Sequence, residues 1–174
     1  MSKKILVTYS STYGATAEIA QKIGEVLRQA SLNADVLPVK DVRDLAPYQA
    51  VVLGSGVYVG KWNKEAEAFL KANQEALAER PVWLFSSGPT GEGDPVTLVK
   101  GQRIPAALQP VADRIQPRDV AVFHGYINQG KVNFLAKWVI KNMVKAPFGD
   151  YRDWDMIARW AGGIAAALRE PALN

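Results

Sequence analysis

The chain is organised around the stretch Val7-Thr8-Tyr9-Ser10-Ser11-Thr12-Tyr13-Gly14-Ala15-Thr16-Ala17-Glu18-Ile19-Ala20. The residues from Ile5 to Tyr9 are mostly β-branched or apolar, which predicts a strand. The apolar residues that follow have the spacing of one helical face, and they are Ile19, Ile23, Val26, Leu27 and Ala30. The stretch therefore predicts a strand, a tight loop and a helix.

The loop between this strand and this helix is rich in hydroxyl groups. They belong to Ser10, Ser11, Thr12 and Thr16, and Gly14 is a point where the backbone can turn or approach a ligand closely. The N-terminus of a helix presents unpaired N–H groups and the positive end of its dipole. These features predict a phosphate-binding pocket, and the simpler alternative is that one hydroxyl is an ordinary helix N-cap.

The bound group is expected to be a monophosphate. A dinucleotide loop requires G-x-G-x-x-G and a P-loop requires a Gly-Lys-Ser/Thr ending, and this loop has neither. Asp35 lies near the position of a ribose-binding acid, but without the glycines this spacing carries little weight. No lysine or arginine lies between Tyr9 and Thr16, so we expect neutral N–H and O–H donors to hold the phosphate.

The loop resembles the FMN-phosphate loop of flavodoxins, whose pattern is Ser/Thr-x-Thr-Gly-x-Thr. The residues that match this pattern are Ser11, Thr12, Gly14 and Thr16. Tyr13 stands where flavodoxins usually carry a hydroxyl residue, and Ala15 replaces a common asparagine. The resemblance implies FMN as the cofactor, with its phosphate held by residues 10–16, and with Tyr13 contributing mainly its backbone N–H.

Length and composition are those of an ordinary globular protein. The chain has 174 residues, of which 48% are hydrophobic and 22% charged, so we expect a single domain over residues 1–174. The absence of cysteine excludes disulfides, thiol nucleophiles, iron–sulfur clusters and thiolate zinc sites, and one histidine leaves too few ligands for a typical catalytic metal site. Any redox chemistry therefore requires an organic cofactor.

Two further properties bear on location and partners. The apolar run near the N-terminus is too short for a signal peptide, and no apolar span is long enough to cross a bilayer, so we expect a cytoplasmic protein. The formal net charge of +4 favours an anionic partner such as a nucleic acid, a phospholipid surface or an acidic substrate. Soluble flavodoxins are typically strongly acidic, so this charge sets the chain apart from them.

Four more strands are predicted along the chain, at residues 34–37, 50–54, 81–85 and 120–123. Helices are predicted between and after them, over about 66–77, 102–114 and 153–168. Alternating strands and helices with short connections indicate an α/β fold. We expect a flavodoxin-like, doubly wound, five-stranded parallel sheet of order 2-1-3-4-5, with a ligand at the carboxyl ends of strands one and three.

The loops after the third and fourth strands have the composition of ligand loops. Residues 55–63 combine glycines with Tyr58 and Trp62, and an isoalloxazine ring requires aromatic faces at stacking distance. Residues 86–95 are glycine-rich and could offer N–H groups to the pyrimidine edge of a flavin. The alternative for each is a plain turn with a surface aromatic. The predicted cofactor contacts here are Val57, Tyr58, Val59, Gly60, Trp62, Ser87, Gly88, Pro89, Thr90 and Gly91.

After the fifth strand, residues 131–145 predict an extra helix that a minimal flavodoxin lacks. One arc of this helix carries four lysines and two aromatic residues, which are Lys131, Lys137, Lys141, Lys145, Phe134 and Trp138. A basic face with aromatic residues is typical of a surface that contacts a membrane or a quinone. The alternative is a solvated lysine face on an ordinary packed helix.

His124 is the only histidine, at the carboxyl end of the fifth strand. A histidine near a flavin could relay protons at physiological pH, which makes His124 a weak catalytic candidate. The alternative is a structural role, because a flavin can exchange protons with water or substrate. No other catalytic residue is predicted.

The helical insertion and the ending Asp150-Tyr151-Arg152-Asp153-Trp154-Asp155-Met156-Ile157 resemble the menaquinone-dependent protoporphyrinogen IX dehydrogenase family and its flavodoxin-domain relatives. Asp153 is expected to cap the last helix, and Trp154 to pack under the insertion. The resemblance implies an oxidoreductase of porphyrin biosynthesis that passes electrons from an organic reductant, with protoporphyrinogen IX as the candidate, through FMN to a quinone.

Three functions remain open at this point. The first is the quinone-reducing oxidoreductase, with a peripheral contact at the inner face of the membrane through residues 131–145. The second is an electron carrier that docks on redox partners. The third is a flavin-free signalling module, but a phosphoacceptor domain requires clustered acids after strand one, and Tyr9-Ser10-Ser11 supplies none. We expect a redox partner or a quinone rather than a nucleic acid.

Overall fold

The strands form one main sheet with five parallel strands and one small separate hairpin, and the short β4 pairs antiparallel with the end of β3. The computed structural model describes residues 4–128, 130–144 and 147–170, so Lys145 lies outside the described residues. The strands are β1 (Lys4–Ser10), β2 (Ala34–Pro38), β3 (Tyr48–Tyr58), β4 (Lys61–Trp62), β5 (Val82–Ser87), β6 (Asp119–Phe123), β7 (Tyr126–Ile127) and β8 (Gly149–Asp150). The main sheet has the order β2-β1-β3-β5-β6 with every pair parallel, which confirms the predicted flavodoxin-like topology.

The helices cover both faces of this sheet. They are α1 (Ala15–Gln29), α2 (Lys64–Ala72), α3 (Gln74–Ala78), α4 (Pro95–Leu98), α5 (Gln109–Ile115), α6 (Phe134–Val139) and α7 (Trp154–Arg169). Helices α1 and α7 share one core cluster with β1, β3, β5 and β6. Helices α2, α3 and α5 build the second cluster on the opposite face. Because both faces are covered, the central strands are apolar without alternation.

Three helices differ from the sequence-based expectation. The helix predicted over 66–77 is interrupted at Asn73, whose side-chain N–H donates to the Phe69 carbonyl oxygen at 2.9 Å. The helix predicted from 102 begins as a short 3-10 turn at Ala106, since Pro105 disfavours a helical conformation at the residue before it. The helix predicted over 131–145 is the six-residue α6, capped by Asn133, followed by a π-helical segment at Ile140–Val144.

The insertion that contains α6 lies between β7 and β8 in the sequence. These two strands form a hairpin in which Tyr126 pairs with Asp150 in antiparallel register. Asp153 caps α7 by accepting a hydrogen bond from the Met156 N–H at 3.0 Å, as the sequence predicts. Within the described part of the chain, no helix combines the length and hydropathy that a bilayer span requires.

Candidate functional site

The register of the sheet brings the carboxyl ends of four strands to one edge. Ser10 of β1 lies opposite Ser55 of β3, Gly56 lies opposite Ser87 of β5, and Ser87 lies opposite Phe123 of β6. The loops that leave these strands enclose a cavity of about 370 Å³. Its lining residues are Ser11, Thr12, Tyr13, Ala15, Thr16, Gly56, Val57, Tyr58, Val59, Asn63, Ser87, Gly88, Gly125, Tyr126, Ile127, Asn128, Val132 and Ile140.

At one end of this cavity, the first turn of α1 has no side-chain cap. Its N-cap residue is Gly14, with φ at 95°, and the nearby Ser11 oxygen accepts a hydrogen bond from the Gly14 N–H at 3.0 Å. The first helical bond runs from the Glu18 N–H to the Gly14 carbonyl oxygen, so the amides of residues 15–17 have no acceptor within the helix. The structure therefore does not show the ordinary hydroxyl N-cap that was the alternative to a ligand loop.

Thr16 adds a hydroxyl group next to these amides. Its side chain is 3% exposed and lines the cavity. A Cβ atom at Gly56 would lie 3.2 Å from the Thr16 hydroxyl oxygen, which is tighter than an ordinary contact. A glycine at residue 56 thus allows the Thr16 hydroxyl to pack closely against β3.

Asn63 holds the loop after β1 in place. Its side-chain N–H donates to the Ser10 hydroxyl at 3.2 Å, and its side-chain oxygen accepts from the Thr12 hydroxyl at 3.5 Å. Its backbone N–H donates to the Ser55 hydroxyl at 3.0 Å. Asn63, the residue before α2, therefore connects the first part of the loop after β1 to β3.

The two aromatic residues predicted for the second loop lie in different environments. Tyr58 is 44% exposed and lines the cavity. Trp62 is 3% exposed in the core cluster opposite α1, and its ring N–H donates to the Ser86 hydroxyl at 2.8 Å. The tight turn between β3 and β4 points Trp62 into the core, so its ring is not available beside a ligand as the sequence suggested.

The turn at Val59 and Gly60 has an unfavourable backbone. Both residues have positive φ, 51° and 71°, which is the geometry of a two-residue type I′ hairpin. Gly60 adopts this conformation freely, whereas a β-branched residue such as Val59 rarely does. Val59 is 60% exposed and lines the cavity, so a strained residue lies at the edge of the candidate site.

The third loop is only partly at the cavity. Ser87 and Gly88 line it, but the Gly88 N–H donates to the Phe123 carbonyl oxygen at 3.2 Å and is therefore not free for a flavin edge. A Cβ atom at Gly88 would lie 3.0 Å from the Val57 carbonyl oxygen. The buried Thr90 hydroxyl has no hydrogen-bond partner among the described residues.

The His124 side chain contacts the backbone of the same loop. Its imidazole is 8% exposed, with Nδ1 3.1 Å from the Pro89 carbonyl oxygen and Nε2 2.8 Å from the Gly93 carbonyl oxygen. His124 is not a lining residue of the cavity. Because backbone oxygens face both ring nitrogens, the structure favours the structural role over the proton relay.

The predicted site residues divide into two groups. The ones that line the cavity are Ser11, Thr12, Tyr13, Ala15, Thr16, Val57, Tyr58, Val59, Ser87 and Gly88. The ones outside its lining are Ser10, Gly14, Gly60, Trp62, Pro89, Thr90 and Gly91. The lining residues that the sequence reasoning missed are Gly56, Asn63, Gly125, Tyr126, Ile127, Asn128, Val132 and Ile140. The lining residues that follow β6 could have been predicted from the fold, since ligands bind beyond the carboxyl ends of parallel strands.

The electrostatics of the cavity come from neutral groups, because none of its lining residues is charged at neutral pH. A charge cluster lies outside this lining, where the buried Arg152 side chain hydrogen-bonds to the more exposed carboxylates of Asp150 and Glu18. The Arg152 guanidinium holds the pKa of the Asp150 carboxyl below its usual range, and partial burial opposes this effect. The hydrogen bond to Asp150 has the largest effect on Arg152 and raises the pKa of its guanidinium. Partial burial opposes this effect, and the hydrogen bond to Glu18 adds to it.

Comparisons with known proteins agree with this architecture. Residues 6–153 match the family model described as Flavodoxin domain. The chain is 23% identical over 181 residues to protoporphyrinogen IX dehydrogenase (quinone) of Escherichia coli strain K12, covering 98% of this chain and 99% of that protein. It is 28% identical over 123 residues to NAD(P)H dehydrogenase (quinone) of Nitrobacter winogradskyi, covering 55% and 62%. A flavodoxin from the domain Archaea superposes with a TM-score of 0.62 at 16% identity, covering 96% and 99%.

The strained turn leads to a stability prediction that compares two neighbouring substitutions. Val59→Asn should raise the free energy of unfolding by about 1 kcal/mol, because asparagine tolerates a positive φ better than valine. Gly60→Ala in the same turn should lower it by about the same amount, since its added Cβ meets no atom within 4 Å and the cost is conformational. Urea unfolding of both variants measures the difference, and equal shifts of the same sign would contradict the strain.

Proposed function

Because the chain belongs to the Flavodoxin domain family, we propose that it is an FMN-dependent oxidoreductase that passes electrons from an organic reductant to a quinone. Protoporphyrinogen IX is the reductant that the full-length similarity to protoporphyrinogen IX dehydrogenase (quinone) suggests. Family membership and the flavodoxin fold imply FMN as the cofactor. The general class, a flavin-binding oxidoreductase or electron carrier, follows from the same findings.

The observation that carries the cofactor assignment is the uncapped first turn of α1. Its free amides belong to the same loop and turn as Thr12 and Thr16, which both line the cavity, and the Thr12 hydroxyl would exchange its weak bond to Asn63, at 3.5 Å, for one to a phosphate. A phosphate dianion at this place would accept hydrogen bonds from neutral donors and interact with the positive end of the helix dipole. Arg and Lys are absent from the cavity lining, which suits one phosphate rather than a pyrophosphate.

The rest of the cavity fits a planar ring system. Tyr58 and Tyr126 supply aromatic side chains, and Val57, Ile127 and Ile140 supply apolar ones. The bound FMN would supply the electron-transfer chemistry, for which no side chain of the protein is suited. The role of these residues is to orient the ring, to limit its contact with water and to leave one edge open to a donor or acceptor.

A quinone acceptor is supported by the names of two relatives, both of which are quinone-linked dehydrogenases. The second candidate is a diffusible electron carrier, which the similarity to a flavodoxin structure favours. The two candidates differ in whether the protein turns over small molecules by itself.

The exposed face of the insertion favours the quinone interpretation. Phe134, Leu135 and Trp138 are 85%, 70% and 51% exposed, although they are large and apolar. Lys131 and Lys141, which precede and follow α6 in the sequence, are exposed, and Lys137 within α6 is half-buried. We call these six residues the insertion face. Aromatic residues among lysines suit the boundary of an anionic bilayer, where a membrane quinone is available.

Turnover with small molecules tests the function. The purified FMN-loaded protein should oxidise protoporphyrinogen IX with a soluble menaquinone analogue as the acceptor, measured by porphyrin fluorescence under anaerobic conditions. Reduction of the flavin by an external reductase, with no turnover of porphyrinogen, would favour the electron carrier instead.

Phosphate binding is tested at Thr16. Thr16→Val should raise the dissociation constant of FMN about tenfold to a hundredfold, since a hydroxyl bonded to a charged group contributes roughly 1.5–3 kcal/mol. Thr12→Val should act in the same direction. Thr8→Val is the matched control, because the buried Thr8 hydroxyl in β1 has no hydrogen-bond partner among the described residues. Quenching of FMN fluorescence gives the constants, and a change below twofold for both loop variants would place the phosphate elsewhere.

Membrane contact is tested by removing charge from the insertion. Replacing Lys131, Lys137, Lys141 and Lys145 by glutamine should abolish sedimentation with anionic vesicles at low salt, because each basic residue near such a surface contributes about 1 kcal/mol. Bound FMN should stay unchanged. The control replaces four lysines elsewhere, Lys22, Lys40, Lys64 and Lys100, with the same loss of net charge. If both variants lose sedimentation equally, binding depends on net charge alone. If the wild type does not sediment with the vesicles, the electron-carrier function is favoured.

A further inference from the structure

The Arg152 side chain is a buried cation behind the lining of the cavity, and the phosphate and ring contacts described above do not include it. It lies between β8 and α7, and its side chain is only 5% exposed. Its Nη1 donates to the Ala15 carbonyl oxygen at 3.2 Å and to Glu18 Oε2 at 2.5 Å. Its Nε and Nη2 donate to the two carboxylate oxygens of Asp150 at 2.9 and 2.8 Å. Arg152 therefore connects the hairpin of the insertion to the first turn of α1.

The same guanidinium also contacts two aromatic rings. Its Cζ atom lies 5.1 Å from the centre of the Tyr126 ring and 4.7 Å from the centre of the Trp154 ring, both within cation–π distance. Ala15 and Tyr126 both line the cavity, one beside the hydroxyl loop and the other beyond β6. Arg152 thus lies behind two walls of the cavity and fixes their spacing. A lysine could not reproduce this, since it lacks the planar fork and the stacking surface.

The charges around Arg152 matter to an anionic ligand. Glu18 belongs to the first turn of α1, the turn whose free amides face the phosphate end of the cavity. An unpaired Glu18 carboxylate would repel a phosphate bound at this end of the cavity. No cation in the cavity lining would offset that repulsion. Arg152 is the cation that pairs with Glu18 and, on its other side, with Asp150. Without the guanidinium, the Glu18 carboxylate, which is 62% exposed and therefore partly screened by water, would remain unpaired in the turn that faces the phosphate end.

We propose that Arg152 is a positioning residue for FMN, which neutralises the Glu18 carboxylate next to the phosphate and holds the Tyr126 ring against the flavin cavity. The inference rests on the proposed FMN site. It assigns a role to the insertion hairpin that is distinct from any membrane contact, because Tyr126 and Asp150 are the residues where the insertion leaves and rejoins the fold.

The test measures FMN affinity and the circular dichroism of bound flavin at saturation in Arg152→Gln, Arg152→Lys, Glu18→Gln and the double variant Arg152→Gln/Glu18→Gln. Arg152→Gln should weaken FMN binding by about tenfold or more and change the flavin dichroism. Arg152→Lys should lie between this variant and the wild type. Glu18→Gln should bind at least as tightly as the wild type, and the double variant should recover part of the affinity lost in Arg152→Gln.

Arg80→Gln is the matched control for a general loss of stability. Arg80 is also a multiply bonded arginine, since Nη1 donates to the carbonyl oxygens of Leu45 and Tyr48 at 2.5 and 2.7 Å, at the end of β3 remote from the cavity. The Arg80→Gln substitution should lower the melting temperature of the apoprotein without changing the circular dichroism of bound flavin. If Arg152→Gln does not fold, Arg152→Lys and the exposed Glu18→Gln still give the two comparisons.

The outcomes separate this inference from the proposed function. A wild type that does not bind FMN overturns both. A wild type that binds FMN, with Arg152→Gln no weaker than Arg80→Gln, overturns the inference alone. The inference is also overturned if the Glu18 substitution restores no affinity and the flavin dichroism of Arg152→Gln matches that of the wild type.

Discussion

The unpaired amides at the start of α1 are the constraint on which the architecture of the site depends. A helix that begins without a side-chain cap leaves N–H groups that require an acceptor, and Gly14 with its positive φ makes such a start possible. Neighbouring groups are arranged to leave these amides accessible. Asn63 engages the hydroxyls of Ser10 and Thr12, and Gly56 lets Thr16 approach the sheet. An anion in the cavity would complete the hydrogen bonding of this turn.

Much of the fold was predictable from the sequence, because a doubly wound sheet leaves a strong periodic signal. Strands covered on both faces are continuous apolar runs, and the helices between them carry one apolar face each. The position of the loop after β1 at the cavity was predictable for the same reason, since this loop follows directly from the strand and helix around it. Breaks within helices were less visible, as the interruption at Asn73 depends on one side chain bonding to the Phe69 carbonyl.

The far side of the cavity could not be predicted in the same way. Trp62 has the composition of a stacking residue, but the turn before it sets which face of β4 points to the core, and a one-residue difference in that turn would reverse it. Tyr126 and Ile140 belong to segments whose apolar residues show no regular spacing. They reach the cavity because β7 and β8 pair with each other although the whole insertion lies between them in the sequence. Contacts between residues so distant in sequence leave no local pattern.

The insertion presents two opposite faces within a few residues, and this arrangement connects the cofactor site to the protein surface. Val132 and Ile140 are 7% and 4% exposed and close the cavity from above the sheet, whereas Phe134 and Trp138 between them point to solvent. Helical geometry accounts for the two faces, since Phe134 and Trp138 are four residues apart and share one side of α6, whereas Ile140, two residues further on, lies on the opposite side. A single helix therefore separates the lining of the cavity from the exposed aromatic residues of the insertion face.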